Sequence, residues 1–241
     1  MKKIFYLLTV VLTLISASCS NEDVVNNDNN LITELNISIE GVYQRCMFVV
    51  ALTNEFLKNI PNAPEGVDKE RFAAEARFCR ALAYYTLMDL FGIPPFITEK
   101  NYSMTPSPLS RAELFAWIES ELLAVQGMLP VARQGEYGRA NQAVVDALLA
   151  RMYLNAVVYT GMERNTDCIA ACNRVIASGY RLADHYEELF MADNGQNVNA
   201  NKEIIFPILF DGNTTQSYGM AAVILGSRSS SDFADVPAGI G

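Results

Sequence analysis

KERFAAEARFCRALAYYTLMDLFGIPP, residues 69–95, is the stretch that decides the fold. At helical spacing it carries Phe72, Ala76, Cys79, Ala83, Thr86 and Leu90 on one stripe and Phe78, Ala81, Tyr85 and Met88 on a second. One apolar stripe suits a helix lying on a surface; two mean a helix wedged between neighbours. Glu75 to Leu90 is therefore expected to be the most buried element of a mainly all-α protein. Gly92, just past Phe91, suits a left-handed C-cap, and Pro94-Pro95 forbid continuation because proline has no amide hydrogen and crowds the preceding turn.

Working outward, Val42, Cys46, Val49, Val50, Thr53, Phe56 and Leu57 recur at helical spacing until Pro61 and Pro64 stop them. They predict one long helix ending at Ile60 and starting between Leu31 and Glu40. Downstream, Ser110 with Glu113 three residues on forms a capping box for a helix to about Met128, closed by Leu129-Pro130. Asn141 caps a helix over Gln142 to Tyr159, and Asn165 or Thr166 caps another to Ala177, closed by Gly179. The pattern is one of antiparallel helical hairpins. The last two helices have tetratricopeptide-like spacing, with small Ala150 and Tyr153 in one and small Cys168 and Cys172 in the other, so that the helices approach closely. Beyond Asn194 the chain turns Gly/Asn-rich, with Glu203 to Phe210 as the strand candidate and Ser227 to Gly241 closing no element.

The N-terminus reads as an export signal. Lys2 and Lys3 precede the uncharged run Ile4–Ile15, which ends in small Ser16-Ala17-Ser18. As a helix that run reaches about 18 Å, short of the ~30 Å hydrocarbon core, so it is a signal h-region and not an anchor. Cys19 follows the cleavage site and is expected to carry the lipid of a lipoprotein, although Ser16 stands where a branched aliphatic residue is usual. Residues 1–18 are then signal peptide, and 19–38 a lipidated N-terminus and tether, its Asn26–Asn30 stretch having nothing to bury. Ser20, Glu22 and Asp23 resemble the short acidic signal that sends Bacteroidetes lipoproteins to the cell surface.

Composition narrows the function. A net charge of −9 that becomes more negative once Lys2 and Lys3 are removed, with no Lys/Arg-rich run, argues against nucleic acid. Cys46, Cys79, Cys168 and Cys172 fall within apolar helical patterns and read as structural thiols. The single histidine, His185, stands in a polar stretch and reads as an exposed loop or helix-start residue. No nucleophile elbow, phosphate loop or metal-ligand spacing occurs, so no catalytic residue, metal or cofactor is expected. Trp117, flanked by Leu114, Phe115, Ile118 and Leu122, reads as core. Tyr218 with Asn213 and Gln216 is the better ligand candidate, since a ring with amide neighbours suits sugar hydroxyls.

Glu75-Ala76-Arg77-Phe78-Cys79-Arg80-Ala81-Leu82-Ala83-Tyr84-Tyr85 through Leu90-Phe91-Gly92-Ile93-Pro94 resembles the hallmark segment of the SusD/RagB family. Asn54-Glu55-Phe56-Leu57, Gly138-Arg139-Ala140 through Leu154, Val175 to Leu182, and Glu203-Ile204-Ile205-Phe206 to Gly219 are similar to further family segments in the same order. The resemblance implies a surface lipoprotein of the outer membrane on a tetratricopeptide-like scaffold. It implies capture of an oligosaccharide or other nutrient for a SusC-like TonB-dependent transporter, without catalysis. Residues 39–200 would be the helical domain and 201–241 the start of an irregular C-terminal part. The family usually has more chain before the first repeat helix and beyond the equivalent of Gly241, and those regions carry much of its ligand surface. Glycan binding by this chain is accordingly expected to be weak or absent, and the alternative is a helical interaction scaffold or a truncated product without ligand binding.

Overall fold

Seven α-helices occur among the described residues, which in the computed structural model are 29–103, 105–191 and 193–210. They are α1 (Asn29–Asn59), α2 (Lys69–Phe91), α3 (Arg111–Gln126), α4 (Gln142–Leu154), α5 (Ala156–Thr160), α6 (Asn165–Ala177) and α7 (Ala200–Glu203), with single 3₁₀ turns at Ile60–Asn62 and Tyr186–Phe190. Helix α2 is wedged between α1 and α3, and α4 pairs with α6. The two stripes of α2 are both buried: Ala76, Cys79 and Ala83 on one, Phe78, Ala81, Tyr85 and Met88 on the other. They meet Cys46, Val49 and Val50 of α1 and Leu114, Ile118 and Leu122 of α3 in one core. Leu90 departs from its stripe and is exposed, while Phe91 beside it takes the inward place in the last turn, edge-on to Tyr43 of α1.

Local signals explain most boundaries. Asp68 accepts the Arg71 amide at the start of α2, and Gly92 ends it at φ 83°, donating its amide to the Met88 carbonyl. Ser110 and Glu113 form the reciprocal capping box of α3, and Asn141 accepts from the Ala143 and Val144 amides at α4. Helix α6 instead starts after Arg164, whose side chain bonds Glu119 and Asp167, so neither Asn165 nor Thr166 is its cap. Helix α1 begins at Asn29, within the stretch expected as tether, so residues 29–38 extend the helix.

Two further expectations are corrected. The helix expected over Gln142–Tyr159 breaks at Asn155, and the redirected turn α5 buries Ala156 and Tyr159, whose hydroxyl donates to Asp89 at 2.6 Å. The strand expected over Glu203–Phe210 does not form. Glu203 closes α7, Pro207 lacks a donor, and among the described residues no neighbouring edge offers a ladder to the segment. Ile205 and Phe206 pack on the helical core instead, with Phe206 edge-on to Phe78 at 5.5 Å, whereas Ile208 and Phe210 stay exposed. The tetratricopeptide-like contact does form: α6 turns Ala171 inward and the Cys168 thiol reaches the Ala150 carbonyl at 3.4 Å. Cys172, however, is exposed, and so is not a core thiol.

Candidate functional site

Charged residues buried on α2 organise the polar interior. Arg80 is 2% exposed. It ion-pairs with Glu99, bonds Glu121 at 3.1 Å and Asn54 at 2.7 Å, and lies 5.4 Å over the Trp117 ring. Among the described residues its Nε has no partner. Arg77 grips the same Glu121 with two bonds, 3.0 and 2.7 Å. Burial opposes ionisation of Glu121, yet the bonds and charges of Arg77 and Arg80 hold its carboxyl below the ordinary range, and Arg80 does the same for Glu99. Asn54 also donates to the Ile97 carbonyl at 3.1 Å, and the Tyr84 hydroxyl bonds both that carbonyl (2.9 Å) and the Ile97 amide (2.8 Å). The loop after Pro94-Pro95 is thus pinned to α1 and α2. Trp117, expected as core, is partly buried and packs against the core, edge-on to Tyr84 and Phe96.

A second arrangement opens to solvent. The α3–α4 connection contributes Arg133, Glu136, Tyr137 and Arg139 to a cleft of about 190 Å³, and Tyr180, Asn201 and Ile205 close it from the far side. Arg139 is held from below by Glu75 of α2, through its Nε at 3.1 Å and a second bond from Nη2. Burial pushes the Glu75 carboxyl up, against the pull of Arg139 and Arg71. Asn141, after capping α4, donates to the Tyr180 hydroxyl at 3.2 Å, which in turn donates to the Ile205 carbonyl at 3.4 Å. Arg133 adopts φ 62°, a conformation few non-glycine residues take. Bonds from its Nη1 to the Asn201 and Lys202 carbonyls and a 5.4 Å approach to the Tyr180 ring hold it there. Gly138, at φ 84°, leaves room for Leu209, which lies where a Cβ would stand.

Chemically the cleft offers tyrosine rings with amide, carboxylate and guanidinium groups around them, a set that suits sugar hydroxyls. Its volume is below the ~300–1,000 Å³ typical of a site that engulfs a ligand, so it covers a small part of one. Periodicity did not single out Tyr137, Asn141 or Tyr180. Their signal lay in the Gly138-Arg139-Ala140 and Gly179-Tyr180 segments, which only the fold brings together.

The sequence-predicted ligand residues Asn213, Gln216 and Tyr218, and the N-terminal Cys19, Ser20, Glu22 and Asp23, lie outside the described residues. His185 is exposed at the start of the Tyr186–Phe190 turn, as read from its setting. Burial raises the Cys46 thiol to about 11 and the Cys79 thiol to about 12, so both are protonated and unreactive. The segments that carry the family resemblance prove to touch one another. Asn54 meets Arg80, Glu75 meets Arg139, and Tyr180 meets both Asn141 and Ile205.

Comparison with known proteins agrees with this picture. The model of a SusD-like family, described as starch-binding and associating with outer membrane, matches residues 8–154. The starch-binding protein SusD of Bacteroides thetaiotaomicron is 38% identical over 192 residues, 78% of this chain and 34% of its own length. A SusD-like protein of Bacteroides ovatus is 26% identical over 181 residues, 69% of this chain and 32% of its own. Among solved structures, a SusD-like protein of Bacteroides fragilis has a TM-score of 0.64 at 21% identity, over 86% of this chain and 42% of its own. A laminarin-binding SusD-like protein reaches 0.63 at 21% identity, over 85% and 49%. The chain spans about a third of the length of these curated relatives.

Proposed function

This chain belongs to the SusD-like family, and on that premise we propose that it is a glycan-capturing surface lipoprotein which serves a SusC-like TonB-dependent transporter in nutrient uptake. In this reading Cys19 carries the lipid, and Ser20, Glu22 and Asp23 direct the protein to the cell exterior. Capture requires no bond to be made or broken, so the protein is not an enzyme and uses no cofactor.

The observation that carries the reading is the family match itself, whose residues 8–154 include both halves of the Glu75–Arg139 and Arg80–Glu121 pairs. A relative named for starch binding makes α-glucan the first ligand to test. We place the contact at the Tyr137–Tyr180 cleft and keep Asn213, Gln216 and Tyr218, which lie outside the described residues, as further ligand residues to test. Those residues follow a few positions after Leu209, which packs over Gly138 at the cleft wall. A site of this size, with one or two rings, supports binding on the order of millimolar, about 4 kcal/mol.

Ligand-observed NMR titration of the folded chain with malto-, laminari- and xylogluco-oligosaccharides tests the proposal. Saturable binding of at least one series, weakened by Tyr137→Ala and by Tyr218→Ala, is the expected result. Folded protein that binds none of them would overturn it.

A further inference from the structure

In the Tyr137–Tyr180 cleft the donors named above are committed, while two acceptors are open. Arg139 gives its Nε and Nη2 to Glu75. Arg133 gives its Nη1 to the Asn201 and Lys202 carbonyls, at 3.2 and 3.4 Å, and lays its guanidinium against the Tyr180 ring. Asn141 donates to the Tyr180 hydroxyl, which passes its own hydrogen to the Ile205 carbonyl.

Asn201 differs. Its Nδ2 donates to the Gly195 carbonyl at 3.2 Å, and its Oδ1, although buried, has no donor among the described residues. The carboxylate of Glu136 lines the same cleft from an exposed position and likewise bonds to no described residue. A buried acceptor left without a donor is costly, so these two groups favour an occupant that brings hydrogens. A sugar hydroxyl brings one, whereas an ionised carboxylate or a sulfate only accepts. Charge acts in the same direction. Arg139 is offset by Glu75 and Arg133 by Glu136, so the cleft has no surplus of positive charge with which to hold an anion, in a chain of net charge −9.

We propose that the cleft selects a neutral, hydroxyl-rich sugar, which donates to Glu136 and Asn201, and turns away uronates and sulfated sugars, with Glu136 as the specificity-determining residue. The inference rests on the glycan-capturing reading and names the chemical class of sugar within it.

The probe is whichever of the malto-, laminari- and xylogluco-oligosaccharides binds the full chain best, used in two forms. One is the native oligosaccharide; the other is the same oligosaccharide with its C6 hydroxyls oxidised to carboxylates. At physiological salt and neutral pH the oxidised form is expected to bind at least about tenfold more weakly. Glu136→Gln, at an exposed position and checked for folding by circular dichroism, puts an amide donor where the carboxylate stood. It is expected to weaken the native form and to narrow the gap to roughly threefold or less. Equal or tighter binding of the oxidised form by the wild type would overturn the inference and leave the glycan-capturing reading standing. A gap that Glu136→Gln leaves unchanged would overturn it too. A folded chain that binds no series would remove that reading and the inference with it.

Discussion

Removing the Glu75 carboxylate should be among the most damaging single changes in this protein. Arg139 is 8% exposed at its side chain and Glu75 2%. Glu75→Ala leaves a guanidinium charged and buried without its carboxylate, and breaking a pair of this kind typically costs about 3–5 kcal/mol. Against a total stability of ~5–15 kcal/mol for a domain, that is a large fraction. With a urea m-value of about 2 kcal/mol/M, the unfolding midpoint should fall by roughly 1.5–2.5 M. Replacing both partners behaves differently, because the desolvation of two charges is then removed together with their attraction. Glu75→Met with Arg139→Met also keeps contact with the Phe72 ring, over which the Arg139 guanidinium lies at 5.1 Å. The double variant should lie within about 1–2 kcal/mol of the parent. Urea titration followed by circular dichroism measures Glu75→Ala and the cycle of parent, Glu75→Met, Arg139→Met and the double variant. A Glu75→Ala loss below about 1 kcal/mol, or a double variant as unstable as the summed singles, would refute the view that this pair is buried and coupled.

Ala83 is fully buried on α2, so Ala83→Asp places an unpaired carboxylate in the core and should cost several kcal/mol; a parent-like melting curve would put the helix on the surface. Glu99 and Glu121 have carboxyls held low in the folded state, so each contributes stability that is complete above the ordinary glutamate value of about 4.3 and is lost as pH falls below it. Glu121→Gln should be less stable at neutral pH yet lose less between pH 5 and 3; an acid limb as steep as in the wild type counts against the assignment. Cys19 should take up radioactive fatty acid in cells, and label that persists in Cys19→Ala would remove the lipoprotein reading.

The helices were legible wherever local chemistry decides the outcome. Two stripes announced the burial of α2, and Ser110 with Glu113, Asn141 and Gly92 each marked a boundary through a bond or a φ value that the structure contains. The misses share one cause, that the deciding partner is distant in sequence. The run from Glu203 to Phe210 is apolar enough for a strand, but a strand needs an edge, and Phe206 found Phe78 instead. Leu90 fits its stripe, yet Phe91 takes the contact with Tyr43 of α1 and leaves Leu90 exposed. Glu75 and Arg80 read as polar interruptions in an apolar helix. Their burial depends on Arg139, Glu99 and Glu121, which periodicity cannot pair with them. The cleft was invisible for the same reason, since Tyr137 and Tyr180 meet only when α4 lies on α6.

The partners of α2 also set an order in which the chain can fold. Arg80 finds Asn54, Glu99 and Glu121 within the first three helices, but the carboxylate of Glu75 bonds Arg139, 64 residues on. A chain ending before α4 offers that carboxylate only Arg71, at 3.9 Å, so its full set of partners waits for the α3–α4 connection. The burial of α2 is thereby tied to a contact far along the chain, at the segment around Gly138, and not to its neighbouring helices alone.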